Sequence, residues 1–141
     1  MTKCSEVMTR NPVCAEPGDT VASVAQLMKD NDIGPIPIVE SKNSKKLVGI
    51  VTDRDLALKV VAGGRDPQTT PVMEVMTTGV ITCRDDDDIE TALDAMSTQQ
   101  LRRIPVVDDG NKLLGIIAQA DIATRMNQPE KTGEVVKEIS E

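Results

Sequence analysis

The sequence of 141 residues contains no Phe, Trp, Tyr or His. Without histidine, the chain lacks the commonest general base and the commonest metal ligand. Without aromatic side chains, it has no ring on which an unpaired nucleic acid base could stack. The formal net charge of −7 also opposes binding to a phosphate backbone, since a basic face is the usual signature of such binding. The composition therefore argues against a nucleic-acid-binding protein, and no nucleophile–base pair or metal-ligand set indicates an enzyme.

Cysteine is scarce, and its placement argues against two kinds of cross-link. Cys4, Cys14 and Cys83 are isolated and odd in number, and no C-x-x-C pair is present. This pattern supports neither a zinc site nor a disulfide framework, so we expect reduced thiols in a cytoplasmic protein. For Cys14 and Cys83 we expect buried, inert thiols rather than a redox switch. The first residues lack the apolar run of a signal peptide, and no stretch approaches the length of a transmembrane helix. We therefore expect no membrane partner.

The chain contains two copies of one pattern, and the segment Val7-Met8-Thr9 recurs 68 residues later at 75–77. At the same offset, the apolar positions Val21, Val24, Ala25 and Met28 correspond to Ile89, Ala92, Leu93 and Met96. Their i, i+3, i+4, i+7 spacing predicts one short amphipathic helix in each copy. Thr20 and Asp88 precede these helices as N-caps. The acidic run at 85–88 therefore indicates a helix cap and its approach rather than a metal cluster.

Two strands follow each predicted helix. The apolar run at 36–39 recurs at 104–107, and the stretch Gly49-Ile50-Val51-Thr52-Asp53-Arg54-Asp55 recurs at 115–121. The offset is now 66 residues, from Gly49 to Gly115, because the hairpin at 41–46 is two residues longer than that at 109–112. The run at 47–51 predicts a strand buried on both faces. Thr52 then predicts the N-cap of a second helix, with Asp55 in its first turn.

These elements predict an α+β fold made of two β-α-β-β-α repeats. We place the first repeat at residues 1–64, a turn-rich linker at 65–74 and the second repeat at 75–126. Each repeat is too small to bury a sufficient core alone. The repeats should therefore pack through their sheets about a pseudo-twofold axis. Residues 127–141 carry apolar residues at helical spacing, which predicts an amphipathic tail helix.

The two ordered motif sets resemble a tandem pair of cystathionine β-synthase (CBS) domains. The residues that carry the resemblance are the strand I-P-[IV]-V and the stretch G-[IV]-[IV]-x-x-x-D in each copy. The resemblance covers roughly residues 3–126. It implies a non-catalytic regulatory module that binds an adenosyl ligand (AMP, ADP, ATP, NAD or S-adenosylmethionine) in the cleft between the copies. It also implies a flat homodimer, no required cofactor, and an effector protein that the sequence does not identify.

The resemblance also implies a set of site residues. The family motif G-h-h-[ST]-x-x-[DN], which grips ribose and phosphate, matches Gly49, Thr52 and Asp55. The second copy keeps Gly115 and Asp121, but Ala118 replaces the hydroxyl residue. The remaining implied residues are Arg102 and Arg103 toward phosphates, of which one should point inward, and the adenine lining Val13, Ile36 and Pro37, with Ile81, Ile104 and Pro105 in the second copy.

A structural interpretation stands beside each functional one. Thr52 and Asp55 also fit a capping box that only closes a helix N-terminus, although such boxes favour Glu or Gln at the fourth position. The arginine pair also fits a solvated surface. Ala118, together with Gly34-Pro35 where the second copy has arginines, supports a structural or interaction module with degenerate, ligand-free clefts.

The helices after Asp55 and Asp121 are the predicted dimer interface. The first of these helices carries Leu56, Leu58 and Val60, which is more apolar residues than a single buried stripe requires. We therefore expect these helices to bury part of a homodimer contact.

The absence of Trp and Tyr gives a spectroscopic prediction. The chain has almost no near-ultraviolet absorbance of its own, so an adenine compound carried through purification should dominate the spectrum. We expect this band to be lost when the protein is denatured and filtered. A band that stays with the polypeptide would contradict a non-covalent adenosyl ligand.

Overall fold

The computed structural model describes residues 1–120 and Ile122. Its helices are α1 (Cys4–Val7), α2 (Val21–Asn31), α3 (Asp53–Asp55) and α4 (Ile89–Gln99). α3 continues as a π-helical segment, Leu56–Val61, and Val72–Glu74 forms a 3₁₀ turn. The strands are β1 (Thr9–Arg10), β2 (Ile36–Val39), β3 (Leu47–Val51), β4 (Cys83–Arg84), β5 (Arg103–Val107) and β6 (Leu113–Ala118). Within this described part, no helix is both long and apolar enough to cross a membrane.

The described chain divides into two compact units that exchange their leading segments. The first-repeat unit comprises Val13–Val80, and the second-repeat unit combines Met1–Pro12 with the described residues from Ile81 onward. Each leading segment (residues 1–12 or 69–80) therefore packs with the core of the other repeat. The boundaries of these spatial units differ from the repeat boundaries predicted above, because the predicted boundaries follow the order of the repeats along the sequence. Those boundaries stay a prediction.

Both units have the same strand arrangement. In the second-repeat unit the order is β1-β6-β5-β4, with β1 and β5 antiparallel to β6 and β4 parallel to β5. In the first-repeat unit β2 and β3 pair antiparallel, and single bridges Ala15–Ile38 and Ile50–Thr77 occupy the places of the outer pairs. The β-bulge also recurs, after Ile38 and after Val106. The predicted α+β tandem-repeat fold is confirmed.

The predicted helix faces form the cores. α2 buries Val21, Val24 and Met28, and α4 buries Ile89, Ala92, Leu93 and Met96. Thr20 and Asp88 are N-caps as predicted, since their side chains accept hydrogen bonds from Ser23 N at 3.2 Å and Glu90 N at 3.3 Å. Both helices end in a left-handed residue, Asp32 or Gln100, as helix C-termini commonly do.

The structure corrects some local predictions. β3 is not buried on both faces, because burial alternates along it and Val48 and Ile50 are only half-buried. The helix α1 and the 3₁₀ turn at Val72–Glu74 were not predicted, although they occupy equivalent places in the two repeats. The predicted tail helix lies outside the described residues.

Two glycines allow the exchanged leading segments to approach the sheet strands closely. A Cβ on Gly49 would lie 2.6 Å from Met76 Sδ and 3.0 Å from the Thr77 carbonyl oxygen. A Cβ on Gly115 would lie 2.7 Å from both Met8 Sδ and the Thr9 carbonyl oxygen. The Thr77 carbonyl also accepts a hydrogen bond from Ile50 N at 3.0 Å, so it is held in place. The glycine that opens each repeated motif is thus explained by backbone packing.

This packing predicts an ordered loss of stability. Gly115→Ala should cost about 1–3 kcal/mol, because its methyl group conflicts with a backbone carbonyl. Gly49→Ala should cost less, since the carbonyl is farther away and a flexible methionine can move. Gly18→Ala is the control, because no atom lies within 4 Å of its added Cβ. Urea denaturation of the three variants checks the order. A wild-type midpoint for Gly115→Ala would contradict the close approach.

Candidate functional site

The candidate site lies at the start of α3, where Thr52 and Asp55 form a reciprocal capping box. Thr52 Oγ1 accepts a hydrogen bond from Asp55 N at 3.2 Å, and Asp55 Oδ2 accepts one from Thr52 N at 2.9 Å. The Thr52 hydroxyl also donates to Asp55 Oδ2 at 3.1 Å. The sequence left capping and ligand binding as alternatives here, and the structure shows the cap formed.

The other carboxylate oxygen of Asp55 faces a lysine that the sequence analysis did not identify. Asp55 Oδ1 lies 3.3 Å from Lys59 Nζ, and the Asp55 side chain is 19% exposed. Lys59 Nζ also donates to the Val75 carbonyl oxygen at 3.0 Å. An acidic residue four positions before a lysine on a helix was the signal that could have revealed this pair. The lysine ties the site to the exchanged segment of the second repeat.

These contacts limit what each group can do chemically. The single hydroxyl proton of Thr52 is engaged with Asp55, so Thr52 can donate to a ligand only if that bond opens. A carboxylate has about four acceptor positions, so Asp55 can still accept from a further donor beside Lys59. Ribose hydroxyls are donors of that kind. The arrangement therefore suits recognition of a sugar better than direct binding of phosphate by Thr52.

A repeated backbone contact fixes the entry to this helix. Asp53 N donates to the Gly34 carbonyl oxygen at 3.1 Å, and Gln119 N donates to the equivalent Arg102 carbonyl at 3.2 Å. A Cβ on Gly34 would lie 3.2 Å from Asp53 Oδ1. The first repeat thus keeps this position free of a side chain, whereas the second repeat places an arginine there.

The π-helical segment follows directly after Asp55. Ala62 N donates to the Ala57 carbonyl at 2.9 Å, and Arg65 N donates to the Val60 carbonyl at 2.9 Å, both five residues back. Such turns are rare and occur frequently at functional sites. Leu56 and Val60 are buried in the core, so they are not surplus apolar residues as the sequence suggested. Leu58 and Val61 are the exposed ones, at 55% and 79%.

The structure distributes the predicted lining residues between core and surface. Ile36 and Ile104 are 0% exposed and belong to the cores of their own units, so their side chains do not form an open surface. Pro37 and Pro105 are also buried, and each points to the opposite face of its strand from the isoleucine before it. Val13 is half-buried, and Ile81 is 40% exposed. Their contact with adenine stays a prediction.

The predicted residues therefore fall into two groups. Thr52, Asp55, Val13, Ile36 and Pro37 belong to the first-repeat unit. Arg102, Arg103, Ile104 and Pro105 belong to the second-repeat unit. Both arginines are exposed, and the contact of one of them with a phosphate stays a prediction. Ala118 ends β6, and Asp121 lies outside the described residues.

The acidic run at 85–88 serves the helix cap, as predicted. Asp87 Oδ2 accepts a hydrogen bond from Arg84 N at 2.8 Å, and Asp88 caps α4. Over residues 1–120 and Ile122, no group of three or more His, Cys, Asp or Glu side chains could hold a metal ion.

Comparison with known proteins identifies the family. The family model for the CBS domain matches residues 4–62 and again residues 72–127. The chain belongs to the CBS-domain family. CBS domain-containing protein YhcV of Bacillus subtilis is 39% identical over 140 residues, which is 99% of this chain and 96% of that protein. The resemblance inferred from the two motif sets is thereby confirmed.

Solved CBS structures share the fold. Hypoxic Response Protein I, crystallised with two coordinated zinc ions, matches with a TM-score of 0.78 and 33% identity, covering 86% of this chain and 97% of that one. The CBS domain pair of protein MJ0100, in complex with 5′-methylthioadenosine and S-adenosyl-L-methionine, matches with a TM-score of 0.74 and 28% identity, covering 87% and 94%. These ligands and ions belong to those proteins.

Proposed function

We propose that this CBS protein is a non-catalytic regulatory module that binds an adenosyl ligand, with Asp55 holding the ribose. The observation that carries the proposal is the Asp55 carboxylate. It is mostly buried, it can accept a further hydrogen bond, and it lies directly before the π-helical segment. The adenosyl compounds bound by the CBS pair of MJ0100 support this ligand class. AMP, ADP, ATP and NAD remain candidates with S-adenosylmethionine. A cytoplasmic location and an effector protein stay part of the proposal.

Recognition would then rest mainly on the nucleoside. Asp55 supplies an acceptor for ribose hydroxyls, and the ion pair with Lys59 orients that carboxylate. Asp53 and Asp55 place negative charge at this helix start, which opposes a phosphate unless cations are recruited. Arg102 and Arg103 are the predicted source of such cations, in the other unit.

The alternative is an interaction module without ligand. The observation that favours it is the completed capping box, in which Thr52 and Asp55 already satisfy each other. A melting screen with AMP, ADP, ATP, NAD and S-adenosylmethionine separates the two functions. A ligand at about a hundred times its dissociation constant stabilises the folded state by roughly 2.7 kcal/mol. No shift with any of the five would favour the interaction module.

Asp55→Ala distinguishes a ribose contact from a cap. If Asp55 holds the ribose, the affinity for the best ligand of the screen should fall by about tenfold to a hundredfold, because a charged hydrogen bond contributes roughly 1.5–3 kcal/mol. Calorimetric titration measures this loss. Asp121→Ala should lose less, since Ala118 replaces the threonine of the first repeat.

Thr20→Ala is the matched control for the cap. Thr20 caps α2 in the same unit, so its loss should cost about 1 kcal/mol of stability and leave the affinity unchanged. Asp55→Ala with wild-type affinity and only a lowered melting point would reduce Asp55 to a capping residue.

We also propose a homodimer formed through the π-helical segment. Leu58 and Val61 are the large apolar side chains that this segment leaves exposed, at 55% and 79%. Leu58→Ser with Val61→Ser should convert the dimer into a monomer in sedimentation at micromolar concentration. Met73→Ser is the control, because Met73 is also exposed, at 53%, but lies outside the segment. A monomeric wild-type protein would refute the dimer.

A further inference from the structure

The second-repeat unit holds two buried thiols in one core cluster. Cys4, on α1, is 0% exposed, and Cys83, on β4, is 4% exposed. Both side chains belong to the same core cluster and interact with each other there. Cys4 Sγ also lies 3.9 Å from the Asp88 carbonyl oxygen, and Cys83 Sγ lies 3.9 Å from the Pro105 carbonyl oxygen. Both cysteines are free.

The backbone holds the two cysteine-bearing segments together. Cys4 N donates to the Asp87 carbonyl at 2.9 Å, and Ser5 N donates to the Asp85 carbonyl at 3.0 Å. Ile89 N donates back to the Thr2 carbonyl at 2.8 Å. The segment carrying Cys4 is therefore fixed against the loop that follows β4, on both sides of the cysteine. This framework places the two thiols in the same core.

The other unit shows that thiols are not needed for packing at these positions. At the repeat offset of 68 residues, Cys4 corresponds to Val72 and Cys83 corresponds to Ala15. Val72 and Ala15 are both 0% exposed and lie in one core cluster. The same fold thus accepts an aliphatic pair in one unit and a cysteine pair in the other. The chemistry of sulfur is what distinguishes them.

The environment makes the two thiols unequal. The hydrogen bond from Cys83 lowers the pKa of the Cys4 thiol, against the opposing effects of burial and of Asp87 and Asp88. The same hydrogen bond, together with burial, raises the pKa of Cys83. Cys4 is thus the better nucleophile, and Cys83 is placed to react with its oxidised form.

We propose that Cys4 and Cys83 form a reversible disulfide when the protein meets hydrogen peroxide. The Cys4 sulfur attacks peroxide, the O–O bond breaks, and Cys4 becomes a sulfenic acid with release of water. The Cys83 sulfur then attacks the Cys4 sulfur, the S–O bond breaks, and the thiol proton leaves with the hydroxyl as a second water. Two thiols and one peroxide give one disulfide and two waters. A thiol reductant reverses the link.

The disulfide would fix the exchanged leading segment to its unit. β1 and Met8 lie immediately after α1, and they pack against β6 at Gly115. The sulfurs are buried, so oxidation requires local opening of α1, which is a single turn. This site does not depend on the adenosyl ligand, and neither proposal tests the other.

Oxidation of the wild-type protein tests the proposal directly. After treatment with hydrogen peroxide, the denatured protein should show one free thiol instead of three, and the remaining thiol should be Cys14. Peptide mass analysis without reductant should find the Cys4 and Cys83 peptides joined in one chain. The melting midpoint should rise by at least about 5 °C and return after reduction, since the link closes a long loop.

Cys4→Val and Cys83→Ala are the matched variants, because they copy the pair Val72 and Ala15. Each should keep a cooperative melt and lose the joined peptide and the shift in midpoint. Cys14→Ser should retain both. Sulfinic acid without a link, a link through Cys14, or three unreacted thiols in the wild-type protein would each overturn the proposal. The wild-type peptide result decides even if a variant fails to fold.

Discussion

The close approach of the leading segments to two glycines is the constraint on which much of this structure depends. Met76 and Thr77 lie against Gly49, and Met8 and Thr9 lie against Gly115. The leading segments can pair with β3 and β6 only because these two positions lack a side chain. A methyl group on either glycine would meet a methionine sulfur and a backbone carbonyl oxygen. Each unit therefore completes its sheet with a segment from the other repeat. Folding of the second-repeat unit therefore needs the first twelve residues together with the residues from Ile81 onward.

This exchange also shapes the candidate site. The segment that covers Gly49 carries Val75, whose carbonyl accepts the hydrogen bond from Lys59. Lys59 in turn faces Asp55, the residue to which we assign the ribose. A ligand that drew Lys59 or Asp55 into new contacts would alter the hydrogen bond between Lys59 and the Val75 carbonyl, and with it the contact of this segment. If Asp55 holds the ribose as proposed, one lysine joins ligand binding to the packing of the exchanged segment.

Divergence between the repeats carries the functional information. The backbone contact from Gly34 to Asp53 recurs from Arg102 to Gln119, but the side chains differ in size and charge. Thr52 corresponds to Ala118, and the buried pair Val72 and Ala15 corresponds to Cys4 and Cys83. Positions that the fold requires, such as the two glycines, are the same in both repeats. Positions that differ are where ligand chemistry or thiol chemistry can be specific to one unit.

The sequence by itself determined the tandem repeat, the buried faces of α2 and α4, their N-caps and the strands β2, β3, β5 and β6. These features depend on local periodicity and on side chains that bond to nearby backbone, so a single stretch contains the information. Only the tertiary structure decided the exchange of segments, the contact of Lys59 with Val75, and the packing of Cys4 with Cys83 in one core. It also placed Ile36 and Ile104 in the cores. Those contacts join positions far apart in the chain or depend on which face of a strand is covered. Local pattern carries no distance between such positions, and packing alone sets it.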